Sequence, residues 1–275
     1  MPASADLIAP PLAPAGNLAI QASGLTKVFV SRTAMWSRER RTIALSDVSF
    51  DLKPSEVLAV VGESGSGKTT LGRLIVGLER PDAGWIRKGA KPLVDTAQHI
   101  FAPPAQRGIG MIFQDPHSSL NPRMTVAAIV GEGLQLTGVG AGETRERVAA
   151  ALDLVGLRRE DMNRYPHQFS GGQRQRIGIA RAIVVEPSIL VADEAVSSLD
   201  VSVQMQVLNL ILDIRDKLGL AVIFITHNIG VVEYLCDQVI VLSKGEVVER
   251  GPTAQVVGSP QHPYTKGLLS AVPRI

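Results

Sequence analysis

The residues whose types and spacing most clearly suggest chemistry form one short stretch, residues 62–70, which reads G-E-S-G-S-G-K-T-T. Glycines, a lysine and a hydroxyl residue at this spacing are typical of a loop that binds phosphate. The Lys68 ammonium would contact the β- and γ-phosphates of a nucleotide, and the Thr69 hydroxyl suits Mg²⁺. An apolar run at 57–61 precedes the stretch and a helical pattern follows at 71–78, which is the strand, loop and helix context that such a loop requires.

The other residues of this stretch are expected to surround the phosphates with backbone N–H groups. Gly65 and Gly67 allow the chain to wrap closely around an anion, because they carry no Cβ. The N–H groups and the positive end of the following helix would then bind that anion. We assign nucleotide binding to Gly62, Ser64, Gly65, Ser66, Gly67, Lys68, Thr69 and Thr70, and Lys68 also has a catalytic role. A chance glycine–serine loop is the alternative, and the lysine–threonine pair and the flanks disfavour it.

Four further candidates directly follow apolar runs that predict buried strands: Gln114, the adjacent acids Asp193 and Glu194, and His227. Ligand sites in open α/β sheets lie at the carboxyl ends of the strands, so these side chains are placed to reach a ligand. Asp193 lies where a phosphate-loop protein holds its Mg²⁺ ligand. The alternatives are a solvated turn for the acids and a structural role for the histidine, and both are weakened by the position of each residue at a strand end.

A second glycine-containing segment reads F-S-G-G-Q-R-Q-R at residues 169–176 and opens a predicted helix that runs to Val185. Ser170 is suited to cap the N-terminus of this helix. Gly171 and Gly172 again allow a close approach to an anion. The segment is therefore a second candidate for phosphate contact.

Most of the chain alternates between predicted strands and helices, which is the pattern of an α/β fold. The strands are expected at 18–22, 25–30, 43–52, 57–61, 109–113, 189–192, 221–226, 239–242 and 246–249. The helices are expected at 71–78, 124–136, 143–157 and 203–217, besides the one that runs to Val185. Residues from about 115 to 165 interrupt the alternation with helices, and we interpret them as an inserted helical subdomain.

Composition excludes several classes of protein. The chain has 275 residues and is 45% hydrophobic, and its formal net charge of +2 is too small to argue for nucleic acid. No apolar run approaches the ~20 residues that a membrane span needs. The proline-rich residues 1–17 lack the features of a signal peptide and predict a disordered tail.

The basic loop 32–41 with Trp36 is favoured as a solvated insertion over a surface for a partner or lipid headgroups. The single cysteine, Cys236, excludes an intramolecular disulfide and fits a reducing cytosol.

Taken in order, these motifs resemble those of the nucleotide-binding subunits of ABC transporters, over about residues 18–275. The matching segments are the phosphate loop 62–70, the Q-loop Gln114, the signature 170–173, the Walker B strand 189–194, the D-loop 198–200 and the H-loop His227. The resemblance implies an ABC-type P-loop NTPase core with a mainly parallel sheet, an N-terminal antiparallel β-subdomain and the inserted helical subdomain.

The same resemblance implies the arrangement of the catalytic groups. Two copies would face each other head to tail, and each ATP would lie between the phosphate loop of one copy and the signature of the other. Glu194 would polarise the attacking water, and His227 would hold the γ-phosphate and that water in line. Gln114 would sense the γ-phosphate and link it to the helical subdomain.

The implied ligands are ATP and Mg²⁺. By resemblance, the metal would be held by Thr69, Gln114 and Asp193, and the nucleotide would also be contacted by Ser170, Gly171, Gly172, Gln173 and Asp200. Phe29 matches the aromatic residue that stacks on adenine, whereas its sequence pattern alone leaves stacking and packing equally open. Phe169 replaces the usual leucine of the signature and Asn228 replaces the commoner acid after the histidine, and neither change is expected to abolish function.

Finer features resemble the oligopeptide, dipeptide and nickel importers, and within them the "F" partner of a D–F pair of ATPases. These features are Q-D-P at 114–116 with S-S-L-N-P at 118–122, D-E-A-V-S-S-L-D-V-S at 193–202 and H-P-Y-T at 262–265. We therefore expect an ATPase domain at 18–257 and an oligopeptide-transporter-type tail at 258–275. Some members bind an iron–sulfur cluster in a cysteine-rich tail, but with Cys236 alone we expect none.

The resemblance also implies partners and a location. The partners are a second ATPase subunit, either a D-type homologue or the same chain, two transmembrane permease subunits and, indirectly, a solute-binding protein, with no nucleic acid. The chain would lie peripherally on the cytoplasmic face of the inner membrane. Two alternatives are a soluble ABC ATPase acting on DNA or ribosomes, which usually has tandem halves or a long coiled coil, and an accessory of a non-transport complex such as phosphonate breakdown.

Overall fold

The computed structural model describes residues 18–31, 40–115, 119–197 and 199–270. Outside the described residues lie the predicted tail, most of the basic loop with Trp36, part of the stretch after Gln114, one D-loop residue and the chain end: residues 1–17, 32–39, 116–118, Ser198 and 271–275. The chain divides into two compact units, the first comprising Met1–Ala102 with Phe224–Ile275 and the second comprising Pro103–Ile223.

The strands are β1 (Ile20–Ser31), β2 (Arg40–Leu52), β3 (Val57–Val61), β4 (Ala83–Lys88), β5 (Lys91–Asp95), β6 (Ile100–Phe101), β7 (Ile109–Ile112), β8 (Ile189–Asp193), β9 (Ala221–Ile225), β10 (Gln238–Ser243) and β11 (Glu246–Pro252). The α-helices are α1 (Lys68–Val76), α2 (Pro104–Arg107), α3 (Val126–Leu136), α4 (Ala141–Leu154), α5 (Gly171–Ile183), α6 (Val201–Leu218), α7 (Ile229–Leu235), α8 (Thr253–Gly258) and α9 (Pro263–Ser270). Short 3₁₀ helices cover Arg159–Asn163 and Pro166–Gln168. None of the helices in the described ranges is long and apolar enough to cross a membrane.

The N-terminal part of the first unit is an antiparallel sheet with the strand order β2-β1-β4-β5-β6, as predicted for the β-subdomain. The prediction of separate strands at 18–22 and 25–30 was wrong, because β1 is continuous through both. Its pairing with β2 shifts register between Ala22 and Leu25, and Gly24 between them has a φ of 67°. The irregularity bends the strand without ending it, which explains why the apolar pattern breaks there.

The rest of the first unit contains the strand order β11-β10-β3. β10 pairs with β11 as the predicted antiparallel hairpin, and it pairs with β3 in parallel, with Gln238 opposite Leu58. All five residues of β3 are buried, which is why its sequence is an unbroken apolar run. Thr226, directly after β9, donates its N–H to the Val60 carbonyl at 3.1 Å.

The second unit contains β7 and β8, which pair in parallel. α3 and α4 lie between β7 and β8 in the chain, close to the helices predicted at 124–136 and 143–157. α3 begins at Val126 because the Thr125 hydroxyl accepts a hydrogen bond from the Ala128 N–H. α4 ends at Leu154, just before Gly156 with its φ of 71°.

One close contact in the second unit gives a test of this packing. A Cβ on Gly110 of β7 would lie 2.4 Å from the Ala182 carbonyl oxygen of α5. Gly110→Ala should therefore lower the free energy of unfolding by about 1–3 kcal/mol through overpacking. The matched control is Gly178→Ala within α5, where a Cβ meets nothing within 4 Å, and this variant should be neutral or slightly stabilising. Urea unfolding followed by circular dichroism measures both, and an unchanged midpoint for Gly110→Ala would contradict the packing.

Candidate functional site

The loop between β3 and α1 needs glycine for two separate reasons. Gly62, Gly65 and Gly67 have φ values of 154°, 80° and 108°, which L-residues with side chains rarely adopt. A Cβ on Gly62 would lie 2.2 Å from the Leu242 carbonyl oxygen, and one on Gly67 would lie 2.4 Å from that of Ala44. Glycine is therefore required at 62 and 67 both by the backbone conformation and by the close approach of neighbouring backbone, which is compatible with the predicted anion-binding loop.

Lys68 lies within this loop. Its side chain is 6% exposed, and its ammonium donates to the carbonyl oxygens of Gly62 and Glu63, both at 2.8 Å. The Ser66 hydroxyl is buried and makes no hydrogen bond within the described residues. No side chain caps α1, because Gly67 occupies its N-cap position. A buried cation, an unpaired hydroxyl and an uncapped helix N-terminus all fit a phosphate ligand.

His227, in the same unit, lies in a short connection whose backbone is tightly held. The N–H of Asn228 donates to the Thr226 hydroxyl at 3.0 Å. The Asn228 side chain accepts from the N–H groups of Gly230 and Val231 and so caps α7. The asparagine that replaces the commoner acid therefore fixes the start of α7, and the exposed imidazole of His227 projects from an ordered connection.

In the second unit, the two predicted acids lie at the carboxyl end of β8: Asp193 is its last residue and Glu194 follows directly. Asp193 is 3% exposed, whereas Glu194 is half-buried and has a φ of 46°. The Gln114 amide donates to a Glu194 carboxylate oxygen at 2.7 Å. The Glu194 carbonyl accepts from the Ser197 hydroxyl at 3.0 Å. The structure thus brings the predicted sensor and the predicted base into direct contact, with the backbone of the base in a strained conformation.

The signature residues form the N-terminus of α5. Ser170 caps this helix as predicted: its hydroxyl accepts from the Gln173 N–H, and the Gln173 side chain accepts from the Ser170 N–H. A Cβ on Gly172 would lie 2.8 Å from Val203, so only glycine allows α6 to approach this closely. The same residues line an open groove of about 530 Å³, together with Leu199 and Asp200 of the D-loop.

The two aromatic candidates have different surroundings. Phe29 is 39% exposed near the end of β1, with the Lys27 ammonium 5.2 Å from its ring centre. Phe169, the departure from leucine, is buried under the Arg164 guanidinium, which lies 4.2 Å from its ring centre. A cation over an aromatic face is attractive, so the larger side chain is accommodated and held.

Two features of this region were not predicted from the sequence. Arg164 over Phe169 depends on the 3₁₀ turn between them, and no local pattern indicates it. The Tyr264 hydroxyl accepts a hydrogen bond from the Glu63 N–H at 3.0 Å, which places the H-P-Y-T segment beside the phosphate loop. The H-P-Y-T segment stands out in the sequence, but nothing in the sequence indicates its contact with Glu63, 201 positions earlier.

Comparison with known proteins places the chain in a family. A family model described as ABC transporter matches residues 45–197, and one described as the C-terminal region of oligopeptide/dipeptide transporters matches residues 248–275. The chain therefore belongs to the ABC transporter family. Among its relatives is the dipeptide transport ATP-binding protein DppF of Haemophilus influenzae, 46% identical over 257 residues, which cover 93% of this chain and 78% of that protein.

Another relative and two solved structures agree with this placement. The glutathione import ATP-binding protein GsiA of Salmonella choleraesuis is 46% identical over 260 residues, which are 94% of this chain and 42% of that protein. The structure of cbiO1 from Clostridium perfringens, part of an ABC transporter complex, gives a TM-score of 0.72 at 29% identity and covers 88% of this chain and 92% of that one. A dimeric ATP-binding cassette with ADP and Pi gives 0.70 at 27% identity, with 85% and 98% covered.

These findings confirm the predicted fold class and the predicted resemblance to ABC-type ATP-binding subunits. The antiparallel sheet, the parallel pairs β3–β10 and β7–β8, and the helices between β7 and β8 are the elements that the prediction named. Cys236 is buried directly after α7, and burial raises the pKa of its thiol to about 12.

The first test of the site concerns Lys68. Lys68→Ala removes the buried ammonium from the loop, so affinity for a fluorescent ATP analogue should fall by about ten-fold or more. Lys217→Ala, which removes an exposed lysine of α6, is the matched control and should bind like the parent. If Lys68→Ala bound and hydrolysed ATP like the parent, residues 62–70 would not be the phosphate site.

Proposed function

We propose that this chain is the subunit that binds and hydrolyses ATP to power an ABC importer for peptides or related small solutes. The observation that carries the proposal is the presence of two regions in one chain, an ABC transporter region at 45–197 and an oligopeptide/dipeptide-type C-terminal region at 248–275. The relatives named for dipeptide transport and glutathione import support the same class of solute.

In this proposal the phosphate loop holds the triphosphate of ATP. Lys68 would exchange the neutral carbonyls that it now contacts for charged phosphate oxygens, which form stronger hydrogen bonds with an ammonium. Mg²⁺ would neutralise phosphate charge, and the oxygen donors of Thr69, Gln114 and Asp193 suit that hard cation. Phe29, with its partly exposed ring, would stack on the adenine.

Hydrolysis would depend on Glu194 and His227. Glu194 would orient and polarise the attacking water, and His227 would hold that water and the γ-phosphate in line. The hydrogen bond from Gln114 keeps one carboxylate oxygen of Glu194 occupied. When Gln114 turns to the γ-phosphate, that oxygen becomes available to the water, so ATP sensing and activation of the base would be linked.

The proposed assembly follows from the exposed signature. Ser170 and Gln173 are exposed and border the groove lined by Gly171 and Gly172. We propose that this surface covers the nucleotide of a second ATPase subunit, either a D-type homologue or a second copy, with Asp200 at the same interface. Two permease subunits would complete the importer, with a solute-binding protein acting indirectly, no nucleic acid, and this chain peripheral on the cytoplasmic face of the inner membrane.

Co-purification tests the transport assignment against its rival. An affinity-tagged chain expressed from its natural operon is solubilised in mild detergent, and its partners are identified by mass spectrometry. Integral membrane permeases in stoichiometric amounts support the importer. A soluble complex without permeases would instead indicate an accessory ATPase acting on DNA, on ribosomes or in phosphonate metabolism.

Dimer formation should depend on ATP, because each site lacks its opposing signature until two subunits meet. The isolated chain should be a poor ATPase for the same reason. Glu194→Gln, which retains nucleotide but removes the base, should shift to a dimer at high MgATP when the partner ATPase and permeases are present. Light scattering during size-exclusion chromatography measures this, and Glu194→Gln combined with Lys68→Ala is the control. A persistent monomer would rule out the nucleotide-bridged dimer.

Coupling should fail when Gln114 is removed, because the residues after it lead into the helical block that would dock against a permease. In the reconstituted transporter, Gln114→Ala should keep ATP binding while solute uptake falls strongly. Gln98→Ala, which removes an exposed glutamine between β5 and β6 outside the helical block, is the matched control. Uptake per ATP hydrolysed is the deciding ratio. If that ratio stayed at the parent value, Gln114 would not be the coupling residue.

A further inference from the structure

Within the first unit, one buried carboxylate of β11 accepts hydrogen bonds from the C-terminal segment that ends in α9. Glu249 of β11 is 5% exposed, and its two oxygens accept hydrogen bonds from the N–H groups of Gln261 and His262, at 2.8 and 3.0 Å. His262 then accepts from the Tyr264 N–H through its Nδ1 at 3.1 Å. These bonds determine where the first turn of α9 lies, and with it the side chain of Tyr264.

From this position the Tyr264 hydroxyl accepts a hydrogen bond from the backbone N–H of Glu63 at 3.0 Å. That N–H belongs to the same peptide unit as the carbonyl of Gly62, which accepts from the Lys68 ammonium at 2.8 Å. A peptide unit is planar, so holding its N–H also holds its carbonyl. Tyr264 and Lys68 therefore contact opposite sides of one peptide unit in the phosphate loop.

Apart from the Lys68 contact at its carbonyl, this peptide unit has little local restraint on its orientation. Gly62 lacks a side chain, and a Cβ there is excluded by the Leu242 carbonyl oxygen at 2.2 Å. Glycine at this position leaves the rotation of the following peptide less restricted than any other residue would. A hydrogen bond from outside the loop can restrain the rotation of this peptide. Within the described residues, the Tyr264 hydroxyl forms that hydrogen bond with the Glu63 N–H.

We propose that Tyr264 is a positioning residue of the nucleotide site, through which the C-terminal segment controls the orientation of the Gly62–Glu63 peptide. This inference rests on the proposed nucleotide site at residues 62–70. It does not make Tyr264 a catalytic residue, because its hydroxyl contacts the loop and not the nucleotide. It gives the C-terminal region a role in ATP binding within its own subunit.

The coupling must act in both directions, because two linked equilibria change each other by the same factor. If Tyr264 improves nucleotide affinity by ordering the loop, bound nucleotide must in turn hold α9 more firmly. Amide exchange in residues 261–270 should therefore slow when the parent protein binds ADP. The loss of one neutral hydrogen bond predicts a change of about three- to ten-fold in affinity.

The experiment uses the full chain and ADP, measured by isothermal titration calorimetry. Tyr264→Phe removes the hydroxyl and keeps the ring, and it should weaken ADP binding about three- to ten-fold while unfolding without nucleotide at the parent temperature. Tyr234→Phe, which removes the hydroxyl of an exposed tyrosine of α7, is the matched control and should bind like the parent. Hydrogen–deuterium exchange should show ADP protecting residues 261–270 in the parent and protecting them less in Tyr264→Phe.

The possible outcomes distinguish a failure of this inference from a failure of the proposed function on which it rests. If the parent binds no nucleotide, or Lys68→Ala binds it like the parent, the proposed function fails. If Lys68→Ala loses binding but Tyr264→Phe binds ADP with parental affinity, the site stands and the inference is overturned. The inference is also overturned if ADP leaves amide exchange in residues 261–270 of the parent protein unchanged. Because this measurement uses the parent protein, it still tests the inference if Tyr264→Phe does not fold.

Discussion

The close approach of backbone segments around residues 62–67 is the constraint on which the first unit depends. β2 brings the Ala44 carbonyl against Gly67, and β10 brings the Leu242 carbonyl against Gly62. The turn between β10 and β11 completes the enclosure, because Gly245 donates its N–H to the Ser66 carbonyl at 3.0 Å and accepts from the Ser46 N–H at 2.8 Å. An open nest of backbone donors cannot hold its shape alone, and here strands from distant parts of the chain hold it. This explains why the hairpin at the C-terminal end of the sequence matters to a loop near its beginning.

In the second unit, one helix, α5, connects the segment around Gln114 to the signature residues. α5 presents Ser170–Gln173 at its N-terminus and carries Arg181 near its C-terminus. The Arg181 guanidinium donates to the Ser119 carbonyl at 2.6 Å and lies 5.4 Å from the ring centre of Phe113, which directly precedes Gln114. One rigid helix thus contacts both sides of the Q-loop and also bears the signature. The signature and the residues that flank Gln114 therefore contact the same helix, at its two ends.

The features that the sequence predicted correctly are those that depend on local chemistry. The run at 57–61 is apolar because β3 is buried on both faces, and Ser170 caps α5 as its residue type and position predicted. The glycine spacing of 62–67 is equally local. Each of these patterns reports a backbone requirement of its own segment, so the surrounding fold is not needed to interpret it.

What the sequence did not predict depends on residues that are distant in the chain. Nothing near residue 238 indicates that β10 pairs in parallel with β3, some 180 positions earlier, and nothing near Tyr264 indicates a bond to Glu63. The continuity of β1 across Gly24 also depends on its partner β2, which tolerates the shift of register. Hydrophobic periodicity describes which face of a segment is buried, but it carries no information about the neighbour that buries it.

Two of the proposed catalytic side chains, Lys68 and Glu194, have hydrogen-bond partners within the chain, and this bears on how ATP acts. Lys68 contacts two loop carbonyls, and Glu194 contacts the Gln114 amide. At the Lys68 ammonium, nucleotide binding would therefore exchange hydrogen bonds, and the net gain there is the difference between a neutral acceptor and a charged one. For Glu194 the positive φ adds a backbone cost that the surrounding turn must sustain. A ligand that binds the Lys68 ammonium must replace two carbonyl contacts, which favours a charged acceptor such as a phosphate oxygen.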